Sequence, residues 1–187
     1  MAVFLGEKRI KSIVTDCDYT WYDKTQELDS KIWDPIEEAQ IRFLMARNKL
    51  IDADYFNFKQ RFHELGAKRG YYQTFLDLGG TVEEFESFVK DVDTSQHLTF
   101  DSELATAIEI LAKETQIFIF SGSPLSSIEK VIDVLISKER RSLISGIIGK
   151  EYLANFGYQK TDPEAYHLMI EDFGINPAET IMIDDLR

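Results

Sequence analysis

The 187-residue chain is 44% apolar and has a formal net charge of −12, with 21 Lys and Arg against 33 Asp and Glu. This is enough apolar content for one buried core, or one core with an inserted subdomain, and the acidic surface disfavours a nucleic-acid polymer as partner. The longest apolar runs, such as IFIF at 117–120, fall far short of the roughly 20 residues that span a bilayer, and Cys17, the single cysteine, excludes an intrachain disulfide or a cysteine cluster for zinc.

In chain order, MAVFLGEKRIKS has an apolar patch too brief for a secretion signal, which leaves the cytoplasm as the expected location and no membrane as partner. IKSIVT at 10–15 follows as a short buried strand, with Ile10, Ile13 and Val14 supplying β-branched bulk. From about 24 to 98 the spacing is helical: Ile36, Ala39 or Gln40, and Phe43 or Leu44; then Phe58, Phe62 and Leu65; then Phe85, Phe88 and Val89. Thr81, three residues before Glu84, matches a capping box for the third of these helices. Asp101 is a plausible N-cap for a helix carrying Leu104, Ile108 and Leu111, and QIFIF at 116–120 is a strand. Pro124 can start a helix with Leu125, Ile128, Val131 or Ile132, and Leu135 on its inner face. The basic run KERR at 138–141 reads as solvated surface, and SGIIG at 145–149 as a short strand or extended turn. Asp162 and Pro163 open a helix with Tyr166, Met169, Ile170 and Phe173 facing inward, His167 near that stripe and Gly174 as its stop. TIMID at 180–184 is the last strand. Strands separated by crossover helices predict an α/β fold: a Rossmann-like, mostly parallel sheet core formed by residues 1–23 and 99–187, with residues 24–98 as a helical insertion.

In such a sheet the chemistry lies at the carboxyl ends of the strands. That rule gathers Asp16 and Asp18, Ser121, and Asp184 and Asp185, each placed where an apolar strand runs out. Crowded carboxylates repel one another and resist burial unless protons or a cation relieve them, and an oxygen-rich cluster without histidine or cysteine suits a hard ion such as Mg2+. Asp16 is then placed to attack phosphorus, and Asp18, two residues on and on the same side of an extended chain, to protonate the leaving oxygen and later deprotonate water. Ser121 and the Gly122 backbone can donate to phosphoryl oxygens, Lys160 can neutralise charge on the transferring group, and Thr20 is expected to hydrogen-bond near the nucleophile and shape the turn. Cys17, between the two aspartates, turns away from them and reads as a buried filler. His63, His97 and His167 follow no zinc spacing.

The motifs resemble those of the haloacid dehalogenase superfamily of phosphohydrolases. DCDYT at 16–20 is similar to its first motif, a strand-ending aspartate, any residue, aspartate, any residue, threonine; IFIFSGS with Ser121 to its second; Lys160 of KTDPEAY to its third; and IMIDD with Asp184 and Asp185 to its fourth. The resemblance covers essentially the whole chain. It implies a covalent aspartyl-phosphate route using Mg2+: Asp16 as nucleophile, Asp18 as acid/base, Asp184 as a direct ligand, Asp185 as a ligand or a supporting carboxylate, and a further metal contact from the backbone carbonyl of Asp18. The helical insertion is similar to the family's cap of the first type, with Arg61, Arg69, Tyr71 and Tyr72 as candidate substrate contacts. A small phosphorylated metabolite, such as a nucleotide or sugar phosphate, is the expected partner, and the protein is expected to be a monomer or homodimer. Displacement of halide is disfavoured, since relatives that do so lack the second aspartate; the alternatives are a phosphomutase and a noncatalytic phospholigand-binding protein.

Three features depart from the family pattern. Tyr19 stands where a small residue or asparagine is usual and is followed by the bulky Trp21 and Tyr22; Thr15 replaces an apolar residue; and the sequence stops at Arg187, soon after the fourth motif. The last departure gives the expectation of a C-terminally shortened core whose strand at 180–184 lacks its outer neighbour, unless the N-terminal MAVFLG covers that edge.

Overall fold

A computed structural model describes residues 3–23, 25–89 and 92–185. The chain divides into two compact units, Met1–Asp23 with Thr94–Arg187, and Lys24–Asp93. The sequence reading places the second boundary at 98/99; Thr94–His97, a short 3-10 turn, falls in the first unit.

The first unit opens with an antiparallel hairpin of Val3–Leu5 (β1) and Lys8–Ile10 (β2), which forms a sheet of its own. The expected strand at 10–15 is therefore two pieces, with Lys11 between β2 and Ser12–Thr15 (β3). Lys11 is an exposed corner at which the chain passes from one sheet to the other, its amide donating to Glu179 O at 2.9 Å.

Among the described residues the helical unit holds four α-helices, Gln26–Arg47 (α1), Tyr55–Arg69 (α2), Tyr71–Asp77 (α3) and Val82–Val89 (α4), with a 3-10 turn at Asp52–Asp54. α1 starts well before the Ile36 stripe and runs through Pro35, with Thr25 Oγ1 accepting from Leu28 N at 3.1 Å as its cap. Ile41, Leu44, Met45, Phe58, Phe62 and Phe75 form its buried core. The capping box is present: Thr81 N donates to Glu84 Oε2 at 2.9 Å and Glu84 N to Thr81 Oγ1 at 3.3 Å. Gly80 is required by packing, because a Cβ there would lie 2.0 Å from the Phe75 ring.

The first unit resumes with Ser102–Leu111 (α5), whose cap Asp101 Oδ1 accepts from Glu103 N and Leu104 N, both at 2.9 Å. Gln116–Phe120 (β4), Leu125–Leu135 (α6), Gly146–Ile148 (β5), Lys150–Ala154 (α7), Pro163–Phe173 (α8) and Thr180–Ile183 (β6) complete it. α8 starts after Asp162 as expected, but the Asp162 carboxylate accepts from Gln159 N at 2.7 Å and makes no cap bond to the helix. The basic run KERR lies on a 3-10 turn and is neutralised locally, Arg140 by Glu109 and Arg141 by Asp133 and Glu129.

Four strands form one parallel sheet in the order β5-β4-β3-β6. Alternation along the strands sorts their side chains onto its two faces. Ile117, Ile119 and Cys17 pack with Ala105 and Ile108 of α5 and Ile128 and Val131 of α6, whereas Val14, Phe118 and Phe120 pack with Ala165 and Met169 of α8. His167 lies on the exposed side of α8 and not near the inner stripe, because that helix turns Ala165 and Met169 inward. β6 is an edge strand with Met182 and Ile183 exposed. MAVFLG does not cover that edge within the described residues: Val3–Leu5 pairs with β2, and Met1 and Ala2 lie outside them, as does Arg187.

Candidate active site

Register, more than loop length, assembles the site. Thr15 lies level with Ile119 of β4 and Ile183 of β6, so Asp16 and Asp184 are the next residues on adjacent parallel strands, spaced by about 4.8 Å. The ladder continues past the strand, with Asp16 N donating to Ile183 O at 2.8 Å, and Ser121, just beyond β4, is pinned likewise by its amide to Ile148 O at 3.0 Å. Both side chains are buried.

Lys160 arrives from the loop before α8 and joins the two aspartates. Its Nζ lies 2.9 Å from Asp16 Oδ1 and donates to Asp184 Oδ2 at 2.7 Å, with only 10% of its side chain exposed. The Asp16 contact is an ion pair off the hydrogen-bonding direction, so Oδ1 is buried without an aligned hydrogen bond. Burial pushes the Asp16 carboxyl up, against the pull of Lys160. Burial alone would depress the Lys160 ammonium, but its hydrogen bond to Asp184 and its ion pair with Asp16 outweigh that and leave it raised.

Asp18 has different partners. Its Oδ1 accepts from the Tyr22 hydroxyl at 2.6 Å and its Oδ2 from the Ser123 hydroxyl. Tyr22 comes from the turn after β3 and Ser123 from the turn after β4, where its amide donates to Ser121 Oγ at 3.2 Å. Gly149 lets that second turn close, since a Cβ there would meet Ser123 O at 3.0 Å and Leu125 N at 3.1 Å. Burial, followed by the neighbouring Asp18 charge, pushes the Tyr22 phenol up.

The turn after Asp18 corrects one expectation. Thr20 Oγ1 is buried with no hydrogen-bond partner among the described residues, and the turn is closed by the backbone, with the Thr20 and Trp21 amides donating to Cys17 O at 3.3 and 3.1 Å. Tyr19 has φ +57°, the left-handed region that costs an ordinary side chain about 1–2 kcal/mol. This is a physical reason for the small residue or asparagine usual at that position. The other departures compensate one another: Trp21 is buried and donates Nε1–H to Thr15 Oγ1 at 2.7 Å, so the bulky indole and the polar strand residue satisfy each other. Cys17 is fully buried on the far face, and burial pushes its thiol well up, which fits the filler role.

Asp16, Asp184 and Asp185 each offer a carboxylate oxygen within 4.8 Å of the others, grading from buried Asp16 to exposed Asp185, and the Asp18 carboxylate is outside this group. Three carboxylates gather where a single lysine pairs with two of them, Asp16 and Asp184, and one buried oxygen lacks an aligned donor. This hard, oxygen-only set with an excess of negative charge fits a divalent cation such as Mg2+. Exposed Gly122 lies beside the Lys160 stem, 3.9 Å from its Cβ to an ideal Cβ on the glycine.

Residue pattern alone did not reveal Tyr22 and Ser123 as partners of Asp18. The available signals were a hydroxyl four residues after Asp18 in a tight turn, and a second serine two residues after Ser121 in SGS. Of the cap candidates, Arg69 is held by Asp77 at 2.7 Å, Tyr71 lies tilted against Phe62 and Tyr72 packs edge-on to Phe85, all inside the helical unit, and Arg61 is exposed.

The family model of haloacid dehalogenase-like hydrolases matches residues 10–186. A solved structure of a candidate beta-phosphoglucomutase from Thermotoga maritima shares 16% identity over 92% of this chain and 75% of its own, with a TM-score of 0.51. A subfamily IA, variant 1 hydrolase of the same superfamily from Geobacter sulfurreducens shares 15% identity over 95% and 81%, with a TM-score of 0.52. At these identities the two likenesses speak for the fold alone. No curated protein matches the chain significantly.

Proposed function

The chain belongs to the haloacid dehalogenase-like hydrolase family, and we propose that it is a phosphatase-type member for small phosphorylated substrates, a Mg2+-dependent phosphomonoester hydrolase working through an aspartyl phosphate on Asp16. The observation that carries this reading is the division of partners between two aspartates two residues apart. Asp16 is paired with the Lys160 ammonium, which favours its ionised form against burial, and Asp18 is held by two hydroxyls.

An Asp16 oxygen attacks phosphorus as the bond to the leaving oxygen breaks, and Asp18 gives its proton to that oxygen. Water then attacks the same phosphorus, its proton passes to Asp18, and the bond to Asp16 breaks to return the free carboxylate and inorganic phosphate. Lys160 and the donors around Ser121 and Gly122 oppose the charge on the equatorial phosphoryl oxygens. Asp16, Asp184 and Asp185, with the Asp18 backbone carbonyl, would hold the cation, which when bound neutralises phosphate charge as a Lewis acid.

Phosphate release from a panel of nucleotide, sugar and alkyl monophosphates, with and without Mg2+ and with no bisphosphate activator, tests the proposal. Chelation is expected to abolish turnover and Mg2+ to restore it. Full turnover in metal-free buffer, or an absolute need for a bisphosphate, would count against it.

A further inference from the structure

The hydroxyl pair on Asp18 points to a role for Tyr22 beyond packing. We propose that Tyr22 is a positioning residue that, with Ser123, clamps the Asp18 carboxyl for proton transfer to and from substrate, an inference that rests on Asp18 being the acid/base. One clamp arm rises from the β3 turn and the other from the β4 turn, so the carboxyl is braced to two neighbouring strands. A free aspartate side chain on a turn has several rotamers, and a displacement of about 1 Å in a positioned group can lower a rate roughly a hundredfold.

The chemistry of the clamp suits a residue that cycles. An ammonium or guanidinium only donates and would hold its partner as an anion; a hydroxyl both donates and accepts, so it can keep its place when the carboxyl carries a proton and when it does not. Asp16 has the ammonium, and Asp18 has the hydroxyls. Tyr22 is further fixed by the Tyr19 ring, 5.7 Å away between centroids, and by its contact with the buried cluster around Trp21. The strained Tyr19 backbone belongs to the same short turn and helps set where the phenol stands.

The test uses the whole chain with saturating Mg2+ and two probes, p-nitrophenyl phosphate and an alkyl phosphate. An alkoxide leaves poorly and needs the proton from Asp18, whereas nitrophenolate leaves well without it. Tyr22→Phe, which keeps the ring, is expected to lower kcat/KM for the alkyl phosphate roughly tenfold or more, the loss expected from one hydrogen bond to a charged group, and to affect p-nitrophenyl phosphate much less, with the melting temperature and Mg2+ affinity little changed. Ser123→Ala is expected to act in the same direction. In an Asp18→Asn background, Tyr22→Phe is expected to add no further loss, because the group it positions is gone. Undiminished kcat/KM for the alkyl phosphate in Tyr22→Phe beside a disabled Asp18→Asn, an equal loss of kcat/KM on both probes, or a full further loss in the Asp18→Asn background would each overturn the clamp. Wild-type turnover by Asp18→Asn itself would instead overturn the acid/base assignment, and the clamp with it.

Discussion

The strand ends of the α/β unit and the interior of the helical unit are stabilised in opposite ways. At the strand ends, Asp16 and Lys160 are buried charges, Asp16 Oδ1 and Thr20 Oγ1 lack aligned donors, and Tyr19 sits in left-handed backbone. Inside the helical unit, Phe62 and Phe75 are fully buried, and Phe75 meets Phe43, Phe85 and Phe88 with centroids 6.1, 5.6 and 5.9 Å away. Its charges are paired near the surface, as Arg47 with Glu84 and Arg69 with Asp77. Unsatisfied and strained groups concentrate where the chemistry is proposed, and the apolar packing that offsets them lies elsewhere. Substitutions at the strand ends should therefore change rate more than stability, and those in the helical interior the reverse.

The sharpest contrast is between Asp16 and Phe75. Asp16→Asn is expected to lower turnover on the order of ten-thousandfold or more, while shifting the denaturant midpoint less than Phe75→Ala does. Phe75→Ala is expected to destabilise by about 3–5 kcal/mol, since it leaves a cavity among the Phe43, Phe85 and Phe88 rings and the Gly80 backbone. Hydrogen exchange should locate that loss in residues 24–93. If Asp16→Asn unfolded the protein as readily as Phe75→Ala, the contrast would break.

A smaller effect sharpens it. Thr74 is the exception in the helical interior, fully buried with an Oγ1 that has no partner among the described residues. Thr74→Val keeps the volume and removes the orphaned hydroxyl, so stability should rise by about 1 kcal/mol with phosphatase turnover unchanged. A fall in melting temperature would mean that the hydroxyl is satisfied in solution.

The comparison also separates what was legible in the sequence from what was not. QIFIF, SGIIG and TIMID carry β-branched and aromatic runs bounded by turn residues, and each became a strand of the parallel sheet. The convergence of Asp16, Ser121 and Asp184 follows from strands being parallel and in register, which the crossover helices imply, whereas Lys160 comes from the loop before α8. The β1-β2 hairpin was missed because its strands are three residues each and mostly exposed, so no apolar alternation marks them. Ser123 is 105 residues from Asp18, and its contact depends on turn geometry that no local pattern encodes. In α1 the helix itself was readable, but its phase decided that Ile41 and Met45 go inward while Phe43 is only partly covered.

The central claim is that Asp16 carries the phosphoryl group while Asp18 only moves protons. Acid quenching during steady turnover of a phosphomonoester with Mg2+, followed by peptide mass spectrometry, tests it most directly. The account predicts an added mass of about 80 Da on Asp16, more abundant in Asp18→Asn when the substrate is p-nitrophenyl phosphate, whose leaving group needs no proton while water is activated poorly. Label on Ser121 or Asp18, or turnover at full rate with Asp16 replaced by asparagine, would contradict it.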